Sequence, residues 1–219
     1  MTSQLKAVNA QGRMIPPGEM LSDRFEVREL IGKGPFGEVY RAEDTLIDAD
    51  VAVKVFDPAI AEDPRDQEAF LSATRRARKM TQKNVVRIHD SGVHDDHPWV
   101  SMQALEGLSL RKILDMRRAK GEHFSLEELE PIVTQVTLAL QHVNREFPVG
   151  DLKPENILLM PETLKVTDTF LYAAVPAEIF ADRLEDSQYL APELHTPTDS
   201  ADARVDVYSL GMMIGEMLF

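Results

Sequence analysis

Three glycines within six residues, Gly32-Lys33-Gly34-Pro35-Phe36-Gly37, form the first group in this sequence whose spacing could do chemistry. Backbone N–H groups reach phosphate oxygens only where no side chain stands between, and closely spaced glycines provide that approach. The pattern G-x-G-x-x-G has two chemical meanings. A dinucleotide-binding turn needs a helix to begin at its end and an acidic residue about twenty positions on. Here Gly37 is followed by Glu-Val-Tyr-Arg-Ala, which alternates like a strand, and the residue 17 positions on is Lys54. The other meaning is a hairpin folded over a triphosphate, with a lysine on the next strand bringing positive charge to the α- and β-phosphates. Val51-Ala52-Val53-Lys54 offers that lysine. A plain hairpin beside an exposed lysine accounts for the glycines alone, but gives Lys54 no reason for its place.

The elements that must position these residues can be read from pattern. FEVRELI, GEVYRAE and VAVKVF, between Phe25 and Phe56, read as three strands around the glycine turn. Upstream, residues 1–21 are largely polar, with Pro16, Pro17 and Gly18 near their end, and read as a flexible arm. Past Pro58 and Pro64, the spacing of Phe70, Ala73, Ala77 and Met80 predicts an amphipathic helix whose outer face carries Arg75, Arg76, Arg78 and Lys79. VVRIHDSGV and PWVSMQAL add two strands, and the His-Asp-Asp-His between them reads as a turn, not a metal site. A boundary is expected near Leu105–Gly107, dividing a sheet-rich unit over 22–105 from a helical unit over 106–219. In the second unit LSLRKILDMRRAK reads as a helix. Another starts at Ser125, where Glu128 completes a capping box, and runs to about Arg145. NILLM and LKVTD read as a hairpin, followed by a loop of about thirty residues and a closing helix from near Ala203. The fold class is α+β.

Composition excludes several roles. The 219 residues carry 24 Lys and Arg against 37 Asp and Glu, a formal charge of −13. Such a surface does not attract nucleic acid or anionic membrane, so an anionic ligand must be drawn in by a local cluster. The absence of cysteine excludes disulfides, thiolate zinc sites and cysteine nucleophiles. No signal-peptide core and no run of about 18 apolar residues is present, so no membrane segment is expected in this chain and a cytoplasmic location is the default.

Taken in order, GKGPFGEVYRAEDTL, VAVKVF, NVVRIHDSG, GDLKPENILL, DTF, YLAPE and DVYSLG make the sequence resemble the protein kinase family, and within it the bacterial Ser/Thr kinases of eukaryotic (Hanks) type. The resemblance covers about Asp23 to Phe219. It implies a bilobal fold that binds ATP with magnesium or manganese. Gly32, Gly34 and Gly37 would cover the phosphates. Val39, Ala52 and Leu158 would sandwich the adenine, with Met102 as gatekeeper and Gln103 and Leu105 offering hinge backbone. Asp151 would be the catalytic base, Lys153 would steady the transferring phosphate, and Asn156 and Asp168 would hold the metal. Asp206 would hold the catalytic loop in place. Phosphoryl transfer asks the protein mainly for positioning and charge neutralisation, which these residue types supply.

Five departures bear on activity. The helix position that should carry a glutamate facing Lys54 is Ala73, and Glu68 lies five residues earlier, about 140° away around the helix. Lys54 is then unanchored or paired with Asp168. His-Arg-Asp reads Val149-Gly150-Asp151. Asp-Phe-Gly reads Asp168-Thr169-Phe170, where Phe170 could take over the packing of the missing aromatic. Asp186 stands at a threonine position, where it could pair with Lys153 and would repel Asp151. Tyr172, Ser187 and Tyr189 are the only phospho-acceptors between Phe170 and Ala191, so activation by loop phosphorylation is not expected. Last, the sequence stops within or just after the central helix of the large lobe. Leu210, Met212, Met213, Ile214, Met217, Leu218 and Phe219 would lose part of their cover, so a longer protein or another subunit, in a homo- or hetero-oligomer, is expected over this face.

The reading that follows is an ATP- and magnesium-binding pseudokinase that regulates a protein partner. The alternative is a working Ser/Thr kinase, slow or partner-activated, acting on a protein substrate. A fold kept only for contacts has no need of Lys54, Asn156 and Asp168.

Overall fold

The computed structural model describes residues 14–219. Of the arm expected over 1–21, residues 1–13 lie outside the described residues. Its continuation does not hang free. The N–H of Met14 donates to Glu38 (2.8 Å) and that of Ile15 to the Tyr40 hydroxyl (3.0 Å). Ile15 is buried with Leu21, Phe25, Val27 and Trp99 beneath the sheet, a burial that outweighs the polar character of the surrounding sequence.

Strands β1 (Met20–Leu21), β2 (Phe25–Gly34), β3 (Gly37–Asp44) and β4 (Ala49–Phe56) lead to helix α1 (Pro64–Lys79), then β5 (Ile88–His94) and β6 (His97–Gln103). They form one antiparallel sheet in the order β1-β2-β3-β4-β6-β5. The sheet has one strand more than the alternation predicts, because Met20 and Leu21 pair with Glu26 and Phe25. The β5–β6 tip is a turn with Asp95 and Asp96 at positive φ, as its residue types require. Asp63 caps α1 by accepting from the N–H groups of Arg65 (2.7 Å) and Asp66 (3.0 Å), with Pro64 in the first turn. The helix buries Phe70, Ala73, Thr74 and Ala77. Its basic face is largely neutralised on the spot: Arg75 pairs with Glu68, Arg76 with Glu146 and Arg78 with Asp90.

The second half contains β7 (Leu108–Ser109), α2 (Leu110–Arg118), α3 (Leu126–Val143), the hairpin β8 (Ile157–Leu159) and β9 (Leu164–Val166), α4 (Leu171–Ala174), α5 (Ala177–Leu184) and α6 (Arg204–Leu218). The loop expected after β9 is therefore partly helical. Leu171 and Ala174 on α4, and Phe180, Ala181 and Leu184 on α5, are buried. A stripe this short is hidden in sequence among alanines and acidic residues. Asn84 ties the halves together: its amide nitrogen donates to Gln135 (2.8 Å) and to the Leu164 carbonyl (2.9 Å), and Val86 N–H donates to the Val166 carbonyl (3.0 Å).

Helix α6 corrects a second expectation. Met213 and Met217 are buried, and Leu210, Ile214 and Leu218 pack partly against the core. The uncovered face keeps Met212 and Phe219 of the residues expected there and adds Val207 and Tyr208. Among the described residues no helix is long and apolar enough to cross a membrane.

The capping box of α3 forms as the spacing predicts. Ser125 Oγ accepts from Glu128 N–H (3.2 Å) and Glu128 accepts from Ser125 N–H (2.9 Å), while Arg117 donates to the same carboxylate (2.5 Å). Arg117, then the Ser125 N–H, hold the Glu128 carboxyl down at about 2, below its ordinary 4.5. A depressed carboxylate contributes stability above its ordinary value and loses it as pH falls through the depressed one. An NMR titration of the Glu128 side chain is expected to show a midpoint near pH 2, and Arg117→Gln to move it upward. A midpoint near 4.5 in the native chain would contradict the geometry.

Candidate active site

A cleft of about 870 Å³ lies between the halves. Its roof is the glycine turn and the face of β3 and β4 that carries Val39, Ala52 and Lys54. Val39 pairs with Lys54 across the ladder, and Ala52 lies two residues before it, so the pleat turns all three the same way. Met102, Gln103 and Leu105 form its back wall and Leu158 of β8 lies in its floor. The Gln103 N–H donates to the Arg87 carbonyl (2.9 Å), so what this residue can offer a ligand is its carbonyl. Asp151, Lys153, Asn156 and Asp168 line the other end.

Gly37 is the one expected site residue that is not in the wall. Its φ is +156°, and a Cβ there would stand 2.1 Å from the Val55 carbonyl oxygen and 2.9 Å from Phe56 Cα. Its glycine serves the strand packing. Gly32 and Gly34 do border the cleft, and a Cβ on either would meet only ordinary contacts at 3.8 and 4.0 Å.

Lys54 is anchored on Asp168, Nζ to Oδ2 at 2.5 Å, with its side chain 4% exposed. Ala73 is buried on α1 and Glu68 points to Arg75, so no carboxylate of that helix reaches the lysine. Asp168 has φ +56°, a left-handed conformation at the end of β9. Two residues on, Phe170 is fully buried and packs edge-on against Phe56 (6.2 Å) and Phe70 (6.5 Å), which also meet each other (5.2 Å). The ring of Phe170 thus fills the space under α1 that the missing aromatic at Thr169 leaves.

The loop around Asp151 is held from below. Asp206 of α6, completely buried, accepts from the N–H groups of Val149 and Gly150, both at 2.9 Å. Burial pushes its carboxyl up to about 6, against the pull of those two donors. Asp151 is 5% exposed; both its carboxylate oxygens accept from Lys153 Nζ (2.9 and 2.7 Å), and Asn156 Nδ2 donates to its carbonyl (2.8 Å). Burial pushes the Asp151 carboxyl up and Lys153 draws it back. The pairing of Lys153 with Asp186 does not form; Asp186 and Ser187 border the cleft, and Asp186 is exposed. Tyr172 and Tyr189 are not free acceptors either. The Tyr172 hydroxyl donates to Thr198 O (2.8 Å) and accepts from Ala201 N–H (2.9 Å), and Tyr189 is bonded to Arg111, Gln188 and Glu216.

The donor set fits a hard cation and its phosphate ligand. Asn156 uses Nδ2 internally, which leaves its amide oxygen, and Lys54 takes one oxygen of Asp168, which leaves the other. Among the described residues no three His, Cys, Asp or Glu side chains could hold a metal ion together. An ion at Asn156 and Asp168 would complete its shell with phosphate oxygens and water, as magnesium does at nucleotide sites.

Sequence reading missed the cleft's outer wall. Arg111 of α2 donates to both oxygens of Glu216 on α6 (2.6 and 2.9 Å), to Glu155 (2.9 Å) and to the Tyr189 hydroxyl, and Arg118 reaches Glu216 (3.0 Å). Glu216 is held below the ordinary carboxylate range by Arg111, while burial pushes Tyr189 up to about 12. Arg111 and Glu216 are 105 residues apart. No local spacing announces such a pair.

The model of the protein kinase domain family matches residues 25–219. The serine/threonine-protein kinase PknL of Mycobacterium tuberculosis is 32% identical over 205 residues, covering 91% of this chain and 50% of PknL. PrkC of Bacillus subtilis is 30% identical over 206 residues, 92% of this chain and 31% of PrkC. The chain thus spans half or less of the length of these curated relatives. A crystal structure of a point mutant of the Mycobacterium tuberculosis PknI kinase domain superposes with a TM-score of 0.77 at 23% identity, over 93% of this chain and 76% of that one, and shares its fold. The cleft geometry, the family match and these relatives agree: the chain belongs to the protein kinase family, in its bacterial, Hanks-type serine/threonine branch.

Proposed function

We propose that this domain binds ATP with magnesium or manganese and acts as a pseudokinase, a regulatory module for a protein partner in cytoplasmic signalling. The division into a small lobe over 22–105 and a large lobe over 106–219 is part of this reading. The observation that carries it is the Lys54–Asp168 pair at 2.5 Å, with a buried Ala73 at the α1 position where the family's glutamate is expected. In a working kinase the lysine and the metal-binding aspartate must be free for different partners, a helix glutamate and the metal. Here they neutralise each other, and nothing on α1 competes for the lysine. In the proposed complex Lys54 would bind phosphate oxygens, while Asn156 and Asp168 would hold a cation that neutralises them.

A second reading, a slow or partner-activated Ser/Thr kinase, is favoured by one feature. Asp151, Lys153 and Asn156 keep a tight mutual geometry, with Lys153 2.7 Å from the Asp151 carboxylate. In that reading Asp151 accepts the proton of a protein hydroxyl.

Thermal shift with millimolar ATP is expected to stabilise the wild-type domain only when magnesium or manganese is present, and Asp168→Asn to lose that dependence. No shift in any condition would overturn nucleotide binding. Transfer of γ-phosphate label that Asp151→Asn abolishes would overturn the pseudokinase reading in favour of the second.

A further inference from the structure

The face of the small sheet turned away from the cleft is crossed by the chain that precedes β1. Successive side chains of a strand alternate, so Glu38 and Tyr40 of β3 point opposite to Val39. Ile15 N–H donates to the Tyr40 hydroxyl (3.0 Å), and Met14 N–H donates to Glu38 Oε2 (2.8 Å). The Tyr40 hydroxyl donates to the same oxygen. The Ile15 side chain is buried in one cluster with Phe25, Val27, Tyr40 and Trp99. Downstream, Gly18 N–H donates to the Val27 carbonyl (2.7 Å) and Val27 N–H to the Glu19 carbonyl (3.0 Å).

The other oxygen of Glu38 serves the glycine turn. Lys33 Nζ lies 2.6 Å from Oε1. Lys33 borders the cleft, and it pairs with Glu38 across the ladder, beside the Gly34–Gly37 pair. One carboxylate is therefore shared between the crossing segment and the turn. Burial pushes the Glu38 carboxyl up, yet Lys33, Tyr40 and the Met14 N–H together hold it below its ordinary value. The Glu38 side chain is 8% exposed against 53% for Lys33. Water meets the pair chiefly from the lysine's side, and Met14 stands against the carboxylate.

We propose that Met14 and Ile15 are a strap that fixes the glycine turn through Glu38: seated, it keeps water from the Glu38 end of the pair and holds the turn in place; lifted, it lets water in and loosens the turn. An ion pair in full solvent contributes little, and Glu38 would also lose a charge-assisted donor. The state of the chain before Met14 is thereby felt at the roof of the cleft, across the thickness of the sheet.

Trp99 is the single tryptophan, and its ring lies 5.1 Å from that of Phe25 in the cluster that Ile15 joins, so its emission reports on the strap. Ile15→Asp is expected to shift that emission to the red and to speed hydrogen exchange at residues 33–38 about tenfold, with α3 unchanged. Glu38→Gln keeps an acceptor for Met14 and Tyr40 but drops the charge that holds Lys33. It is expected to speed exchange in the turn alone, leaving Trp99 emission where it was. A red shift in Ile15→Asp with no faster exchange in the turn would overturn the strap's control of it, and so would unchanged exchange in Glu38→Gln. Absence of any red shift would show that the segment is not seated, which also overturns the proposal. Should Ile15→Asp unfold the domain, seen as lost protection in α3, Met14→Pro decides, because it deletes one N–H donor and leaves Ile15 in place. Faster exchange at the turn is expected there too, and an unchanged rate would overturn the inference. None of these readouts needs nucleotide, so the strap and the ATP-binding reading can fail separately.

Discussion

Gly37→Ala is expected to destabilise the domain by about 4 kcal/mol or more, as read by urea denaturation. The new Cβ would lie 2.1 Å from the Val55 carbonyl oxygen and 2.9 Å from Phe56 Cα. Both obstacles are backbone atoms of the central strand β4, so no side-chain rotation relieves them. The φ of +156° adds strain for any residue with a Cβ. The strands would have to separate where Gly37 pairs with Phe56, and Lys54 sits two residues from that break. Gly34→Ala makes the informative contrast. Its Cβ would meet the Gly37 carbonyl oxygen at 4.0 Å, so stability should change by less than about 1 kcal/mol. Because Gly34 borders the cleft, ATP binding should weaken instead. Two glycines of one motif would then divide into one that builds the sheet and one that meets the ligand. A loss below about 1 kcal/mol at Gly37 would contradict this packing.

Asp206→Ala is expected to cost about 4 kcal/mol, because it strands two buried N–H donors, Val149 and Gly150, with no other partner to turn to. Asp206→Asn keeps an oxygen that can accept from them and should cost about half as much. The effect reaches the site because Asp151 is the next residue in the chain. In the alanine variant the loop loses its tether from α6, and the Asp151 carboxylate should lose its fixed place beside Lys153. Chemical-shift changes confined to residues near 206, with residues 149–156 unmoved, would show that α6 does not position the loop.

Much of the site was legible in one dimension. The strand–glycine turn–strand unit, the lysine on the next strand and the capped helix from Ser125 each depend on a few neighbouring residues. Backbone sterics and hydrophobic period impose such patterns locally. The motifs around Asp151, Asn156 and Asp168 were legible for the same reason, being short runs of unusual residue types. Where the reading failed, the deciding partner was distant. The basic outer face of α1 shows no partner in its own stretch of sequence for Arg76 or Arg78, and only the fold brings Glu146 and Asp90 beside it. The segment after Phe170 looked like a loop because the ring stacked on Phe180 of α5 is that of Phe36, in the distant glycine turn.

By itself the sequence determined the α+β class, the order of the longer strands and helices, and the residue types that can meet phosphate and a divalent cation. It also determined an absence, since Ala73 offers no carboxylate to Lys54 wherever the helix sits. Tertiary structure alone decided what that lysine does instead. Local sequence leaves Lys54 either unanchored or paired with Asp168, 114 residues away. Ion pairing depends on distance in space, and the fold, with Phe170 packed against Phe56 and Phe70, sets Asp168 2.5 Å from the lysine. The same holds for Arg111 with Glu216 and for Arg183 with Asp57: nothing in their local sequence pairs them, and packing sets their separation.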